Sequence, residues 1–375
     1  MTRPFDEQLL DDPEALAAAD PSGVLRAVAG AGAQVRHGLS LAAEAPLDRL
    51  GEDRPRTVVI AARGGARAVG DAVEALAGPG CPVPVVCRSG TVLPGWVGPL
   101  DLVIAVSLSG QAQPAVALAA EAGRRGARVL TVGAAGSLLA EVSAQVRGVH
   151  VPVPQPGLEA TSAPTSRASL WAMLTPVLVA TTRLGLTDAG PGPLGLVADT
   201  LDEEARLGSP ATESFVNPAK SLAVELADSV PVLLGDGPAT GVAARRAASV
   251  LARTARVPAV AGTLPDDAGD VVATFGGPFA STPEELFADP FLDPEPTGPR
   301  LRLVLLREGP TSAAAAVVEL AERSGVKVSE VVVEEPDPLR RLAALGARTD
   351  FAATYLALGL GLDPAESPHV TELSS

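Results

Sequence analysis

The sequence predicts an α/β protein built on two doubly wound parallel sheets. Short apolar runs alternate with alanine-rich, helix-like segments. The alternation breaks at a Pro/Gly/Ser/Thr-rich span, "VPVPQPGLEATSAPTS", and later restarts with the same opening of strand, glycine loop and helix. At 375 residues, 47% of them hydrophobic, the chain exceeds one typical core and has material for two.

Residues 7 to 45 predict short helices, with starts marked by the Asp-Pro of "DPEALAAAD" and "DPSGVLRAVAG". From residue 56, Arg56–Ala62, Val83–Cys87, Asp101–Val106 and Ala127–Val132 read as strands, because a strand covered on both faces needs a continuous apolar run. Val149–Pro154 adds a fifth candidate. Arg167–Gly185 predicts a long apolar helix, "LTDAGPGPLG" a loop, and Asp199–Leu207 a charged helix. The second set of strands is Val230–Gly235, Val257–Gly262, Val271–Phe275, Arg300–Arg307 and Val326–Val333, and "DPLRRLAALGARTDFAATYLALGLG" closes the chain as a helix. The expected divisions are an N-terminal helical segment over 1–50, a first domain over 51–207 and a second over 208–375. Facing edges of two such domains would form a cleft, the usual place for a small-molecule site.

Composition narrows the function. With 29 Lys plus Arg against 44 Asp plus Glu the net charge is −15, a field that repels nucleic acid and anionic membranes, and aromatics are only 3% of residues. The acidic N-terminal stretch lacks the apolar core of a signal peptide, and no uncharged run approaches the roughly 20 residues of a membrane span. A cytoplasmic protein is expected, with neither nucleic acid nor membrane as partner. Cys81 and Cys87 have neither redox nor zinc spacing and read as small buried residues. No His/Cys cluster suggests a metal, and no cofactor is expected. Neither glycine loop carries the Lys-Ser or Lys-Thr of a P-loop, and Gly64, Gly65 and Gly70 miss dinucleotide spacing.

The stretch "LVIAVSLSGQ" places two hydroxyls and a glycine where a strand turns into a helix. Ser107, Ser109, Gly110 and Gln111 there suit a terminal phosphate monoester, because unpaired N–H groups and the dipole at a helix start favour an anion. A capped helix whose serines merely satisfy backbone groups is the other reading. Lys220 reads as a partly exposed charge on an amphipathic helix, His37 as a surface residue and His150 as a strand residue.

Three separated stretches then give a family resemblance. "AVSLSGQAQPAV" resembles the sugar-isomerase (SIS) phosphosugar loop, S-x-S-G-x-T-x-E. "ESFVNPAKSLAVELADSVPVLLGDG" and "YLALGLGLDPAESP" resemble the second domain and the C-terminal helix of the bacterial and archaeal bifunctional phosphoglucose/phosphomannose isomerases. The resemblance covers about residues 55–375. It implies two SIS-like three-layer α/β/α domains with parallel, flavodoxin-like sheets, a homodimer and a cleft for hexose 6-phosphates.

It also implies a depleted catalytic set. Aldose–ketose isomerisation needs a carboxylate base and charge to stabilise an enediolate. The relatives' H-N-E stretch falls on Gly269, Asp270 and Val271, so Val271 stands under the Glu, leaving Asp266, Asp267 or Asp270 as displaced bases. Their Lys falls on Ser374, their phosphate-binding Thr on Ala112, and their first-loop Gly-Gly-Ser on Gly64, Gly65 and Ala66, beside Arg67. Arg167 matches an active-site Arg, and His369 lies on the segment that approaches the relatives' cleft, with Glu213 a further candidate base. The sequence thus predicts a protein that binds hexose 6-phosphates with weak or absent isomerase activity and a regulatory role in sugar-phosphate metabolism, against two alternatives: an active glucose-6-phosphate/mannose-6-phosphate isomerase, and a structural or interaction protein without a sugar ligand.

Overall fold

A computed structural model describes residues 4–154, 167–280, 298–309 and 311–370. The chain divides into two compact units, one of Ala29–Glu203 and one of Met1–Val28 with Glu204–Ser375.

In the unit of residues 29–203 the strands are β1 (Val58–Ala62), β2 (Val85–Arg88), β3 (Leu102–Ser107), β4 (Arg128–Gly133) and β5 (Val149–Pro152). They pair in parallel in the order β2-β1-β3-β4-β5, as the flavodoxin-like expectation requires. Val59, Ala61, Val103, Ala105 and Val129 share a cluster with Ala115, Leu118, Ala119 and Ala122 of α5 (Gln113–Arg124) and Leu139 of α6 (Leu138–Gln145). The alternate residues Ile60, Ile104 and Leu130 are also fully buried, and α4 (Arg67–Ala77) and α7 (Leu170–Arg183) contact these strands. Burial on both faces explains why the strands read as unbroken apolar runs rather than alternating ones. Asp101, at the head of β3, is held by Arg56 at 3.0 and 2.6 Å and by the Gly98 N–H at 2.8 Å. Burial pushes its carboxyl up, but these donors outweigh that and hold it below its ordinary value.

In the other unit, α1 (Pro13–Ala19) and α2 (Val24–Ala29) are capped by Asp12 and Asp20, as their Asp-Pro starts predict. The parallel sheet is β6 (Ser229–Gly235), β7 (Val260–Thr263), β8 (Arg300–Arg307) and β9 (Lys327–Val332), in the order β7-β6-β8-β9. Around it lie α9 (Pro218–Leu226), α10 (Pro238–Val250), α11 (Ala268–Ala273), α12 (Ser312–Arg323) and α13 (Pro338–Gly359).

Three sequence expectations are corrected. Val271–Phe275 is not a strand but the end of α11 and a following 3₁₀ turn. Val271 and Phe275, four apart, share a helical face and enter the core against Leu303 and Leu305. The loop of "LTDAGPGPLG" ends early, because α8 (Pro191–Leu207) already begins at Pro191. Burial of Leu194, Val197, Ala198 and Leu201, spaced as one helical face, overrides the local glycines.

Lys220 is fully buried rather than partly exposed. Asn217 caps α9 and Pro218 follows at its first position, which turns Lys220 inward. Its Nζ donates to the carbonyls of Leu10 (2.5 Å), Pro210 (2.9 Å) and Thr212 (2.7 Å), and lies 5.5 Å from the centre of the Tyr355 ring. Burial pulls the ammonium below its ordinary pKa, with Asp11 at 4.0 Å opposing.

Lys220→Met keeps the stem and leaves three carbonyls, one buried and two part-buried, without their donor, so urea unfolding should show a loss of about 3 kcal/mol or more. A loss under about 1 kcal/mol would mean that the clamp is not structural. The Asp101 contribution has a defined sign. Its folded pKa lies below the unfolded value of 3.8, so its stabilisation is complete above that value and is lost as pH falls through the folded one. Acid unfolding of Asp101→Asn should lack that step, and an unchanged acid profile would contradict the assignment.

Candidate functional site

The C-terminal ends of β1, β3 and β4 lie side by side, with Ala62 in register with Val106 and Ser107 with Gly133. From β1 the sheet grows one way to β2 and the other way through β3 to β5, so a switch point falls between β1 and β3. Open α/β sheets take ligands at such a switch point, outside the carboxyl ends of the strands.

Ser107 closes β3 and is 5% exposed. Its hydroxyl accepts from the Ala112 N–H at 3.4 Å, and Ser109 Oγ accepts from the Gln111 N–H at 3.3 Å. The Gly110 N–H donates to the Ser107 carbonyl at 2.9 Å. The loop therefore differs from the expectation of unpaired donors on a helix. With Pro114 in the first turn and Ala112 extended as N-cap, α5 starts only at Gln113, and the three N–H groups form a turn ahead of it. The two serine contacts are long, and a hydroxyl can rotate to donate outward. Gly110 has φ +64°, and a Cβ there would overlap the Ser137 side chain.

Ser137 is the residue that the sequence reading missed. It caps α6 by accepting from the Ala140 N–H at 3.3 Å and donates to the Ala134 carbonyl at 2.7 Å. The Leu139 N–H donates to the Gly110 carbonyl and the Ala134 N–H to the Leu108 carbonyl, each at 3.0 Å, sewing the two loops together. The available signal was Gly136-Ser137 directly before an apolar helix.

Across the switch point, Gly64–Ala66 form a 3₁₀ turn after β1. Gly64 is exposed, Gly65 half-buried, and Arg67 opens α4 mostly exposed, 3.8 Å from Asp71. Arg167, ahead of α7, is 8% exposed. Behind the loops, His150 Nδ1 lies 2.8 Å from Thr131 Oγ1, and burial lowers its pKa, favouring the neutral ring. Cys81 and Cys87 are half-buried rather than buried. The Cys87 thiol is pushed up to about 12 by burial and the nearby carboxylates of Asp71 and Glu74, which makes it a poor nucleophile.

The remaining candidates belong to the other unit. Asp266 and Asp270 are exposed, between β7 and the first turn of α11. Asp267 is tied down, accepting from the Thr263 N–H at 2.6 Å. Val271 is 2% exposed. Glu213 and His369 are exposed, and Ser374 lies outside the described residues.

Residues 215–375 match the family model of the bacterial phospho-glucose isomerase C-terminal SIS domain. That stretch of the chain is similar to a SIS domain. A bifunctional phosphoglucose/phosphomannose isomerase of Caldicellulosiruptor bescii is 26% identical over 202 residues, 54% of this chain. That match spans 57% of the relative, little more than half its length. A provisionally assigned phosphosugar isomerase from Silicibacter pomeroyi shares the fold at TM-score 0.61 and 22% identity, over 91% of this chain and 99% of that one. A glucose-6-phosphate isomerase like protein from Thermus thermophilus does so at TM-score 0.55 and 23% identity, over 97% and 98%. No described helix is long and apolar enough to cross a membrane.

Gly110→Ala should lower stability by about 2 kcal/mol or more in chemical unfolding, from left-handed strain and the overlap with Ser137. A neutral effect would contradict the tight seam between the two loops.

Proposed function

We propose that this chain is a SIS-domain protein that binds the phosphate of a hexose 6-phosphate at Ser107, Ser109, Gly110 and Gln111, and isomerises the sugar slowly or not at all. The observation that carries the reading is the hydroxyl-rich turn at the switch point of the first sheet, set ahead of a helix whose N-cap has no side-chain partner. On binding, the Ser107 and Ser109 hydroxyls turn from the Ala112 and Gln111 N–H groups to donate to phosphate oxygens. The N–H groups so released face the same anion. Ser137 is fully engaged and buried, and acts by positioning Gly110. Gly64, Gly65 and Arg67, on the loop that follows β1, are the residues assigned to the sugar in this reading. Arg167 supplies charge for a sugar oxygen, and the family resemblance carries the further proposal of a homodimer.

The proposal of low turnover rests on Val271. The resemblance puts the relatives' base there, and the side chain present is apolar, buried and on a helix. A missing general base costs roughly two to four powers of ten.

Calorimetric titration with glucose, mannose and fructose 6-phosphates should show binding that Ser107→Ala with Ser109→Ala weakens at least about tenfold, a loss of about 1.4 kcal/mol. Equal indifference of the folded protein to all three sugars and to inorganic phosphate would refute the site. In coupled isomerase assays, turnover should fall well below the ordinary range of about 1 to 1,000 per second. Ordinary turnover that Asp266→Ala or Asp270→Ala abolishes would replace this reading with that of an active isomerase.

A further inference from the structure

The second sheet repeats the switch point. β6 ends at Gly235, with β7 on one side and β8 on the other, and Asp236-Gly237 lead into the thirteen-residue helix α10. Here the anion position already has an occupant. Glu308, just past β8, accepts from the Ala239 N–H at the helix start through Oε1 at 3.2 Å, and its Oε2 lies 3.6 Å from Arg341 Nη1. A Cβ on Gly237 would overlap the Glu308 carboxylate, so the approach depends on glycine. The Glu308 N–H donates to Asp236 Oδ1 at 2.5 Å, which anchors the backbone beneath it.

Arg341 supplies a second, independent sign of an anion site. It is 9% exposed, and its Nε has no hydrogen-bond partner among the described residues, although Nη2 reaches the Pro336 carbonyl at 3.3 Å. A buried guanidinium and a helix N-terminus thus converge on one carboxylate, the pairing that binds oxyanions in proteins. The opposing charge is Asp236, whose Oδ2 lies 3.8 Å from Arg307 Nε, while Arg307 also holds Glu330 at 2.9 Å.

We propose that the second sheet carries an anion site which the chain fills with its own Glu308 carboxylate, and which, once vacated, takes a small oxyanion such as inorganic phosphate. The site does not depend on the sugar-phosphate reading. Where that reading holds, the consequence is one phosphate per chain, bound at the first sheet only.

The experiment uses the full chain carrying Ser107→Ala and Ser109→Ala, so that the first loop is silent, and titrates inorganic phosphate. Adding Glu308→Ala or Glu308→Ser should tighten phosphate binding at least about tenfold over that parent. Glu308→Gln, which fills the same space, should give no gain. Folded Ala and Ser variants without a gain would overturn the proposal, as would an equal gain in the Gln variant, which would make the effect one of net charge alone. Should removal of the carboxylate unfold the protein, phosphate, sulfate or formate should restore the native circular dichroism, and failure of all three would also overturn it. Absence of phosphate binding in the unsubstituted chain, with Ser107 and Ser109 present, would refute the first-sheet site and leave this one standing.

Discussion

Burial of a parallel sheet on both faces is the constraint on which the rest of this structure depends. The residues of β1 and β3 are buried almost without exception, so polar chemistry has no place along the strands. It is pushed to the strand ends, where the chain must turn and backbone groups come free of the ladder. The two sheets share their strand order, apart from the extra β5 of the first, and the central strands β6 and β8 of the second are likewise mostly buried. What differs is the chemistry placed at equivalent ends. The first sheet ends in small neutral hydroxyls and glycines, and the second in Asp236, Arg307 and Glu308.

That difference matters in a molecule of net charge −15. A field of that sign does not draw an anion toward the surface, so any phosphate must be held by short-range donors. The loop of Ser107 to Ala112 has donors and no carboxylate of its own. The turn of the second sheet has its carboxylates pinned by Arg307, Arg341 and backbone N–H groups. The same architecture therefore ends in neutral donors in one unit and in paired charges in the other.

Much of this was legible in the sequence because it rests on local signals. Apolar runs marked all nine described strands to within a few residues, and Asp12 and Asp20 announced their helices. The Ser107 loop was visible because hydroxyls and glycine followed a buried run. What stayed hidden depends on contacts distant in sequence. Lys220 looked like an ordinary helix charge, and its carbonyl clamp reaches back to Leu10. Ser137 acts on Gly110 across a neighbouring loop. Val271–Phe275 misled because a short β-branched run fits either a strand or one turn of helix, and only packing against β8 decides it.

The helical state of Val271 also bears on what could replace a base there. Along α11 each residue turns by about 100°, so Asp270 points to a different side from Val271 and is exposed where Val271 is buried. Asp267, four residues earlier, lies nearer the same side, but its carboxylate is held by the Thr263 N–H. Neither carboxylate therefore takes the direction of the residue it would replace. A carboxylate placed at 271 itself would enter the cluster of Leu234, Leu303, Leu305 and Phe275, where an unpaired charge is costly. Recovering a base in this loop would require the helical turn itself to move. The apolar position is part of the core of its unit, packed with Leu303 and Leu305 of β8.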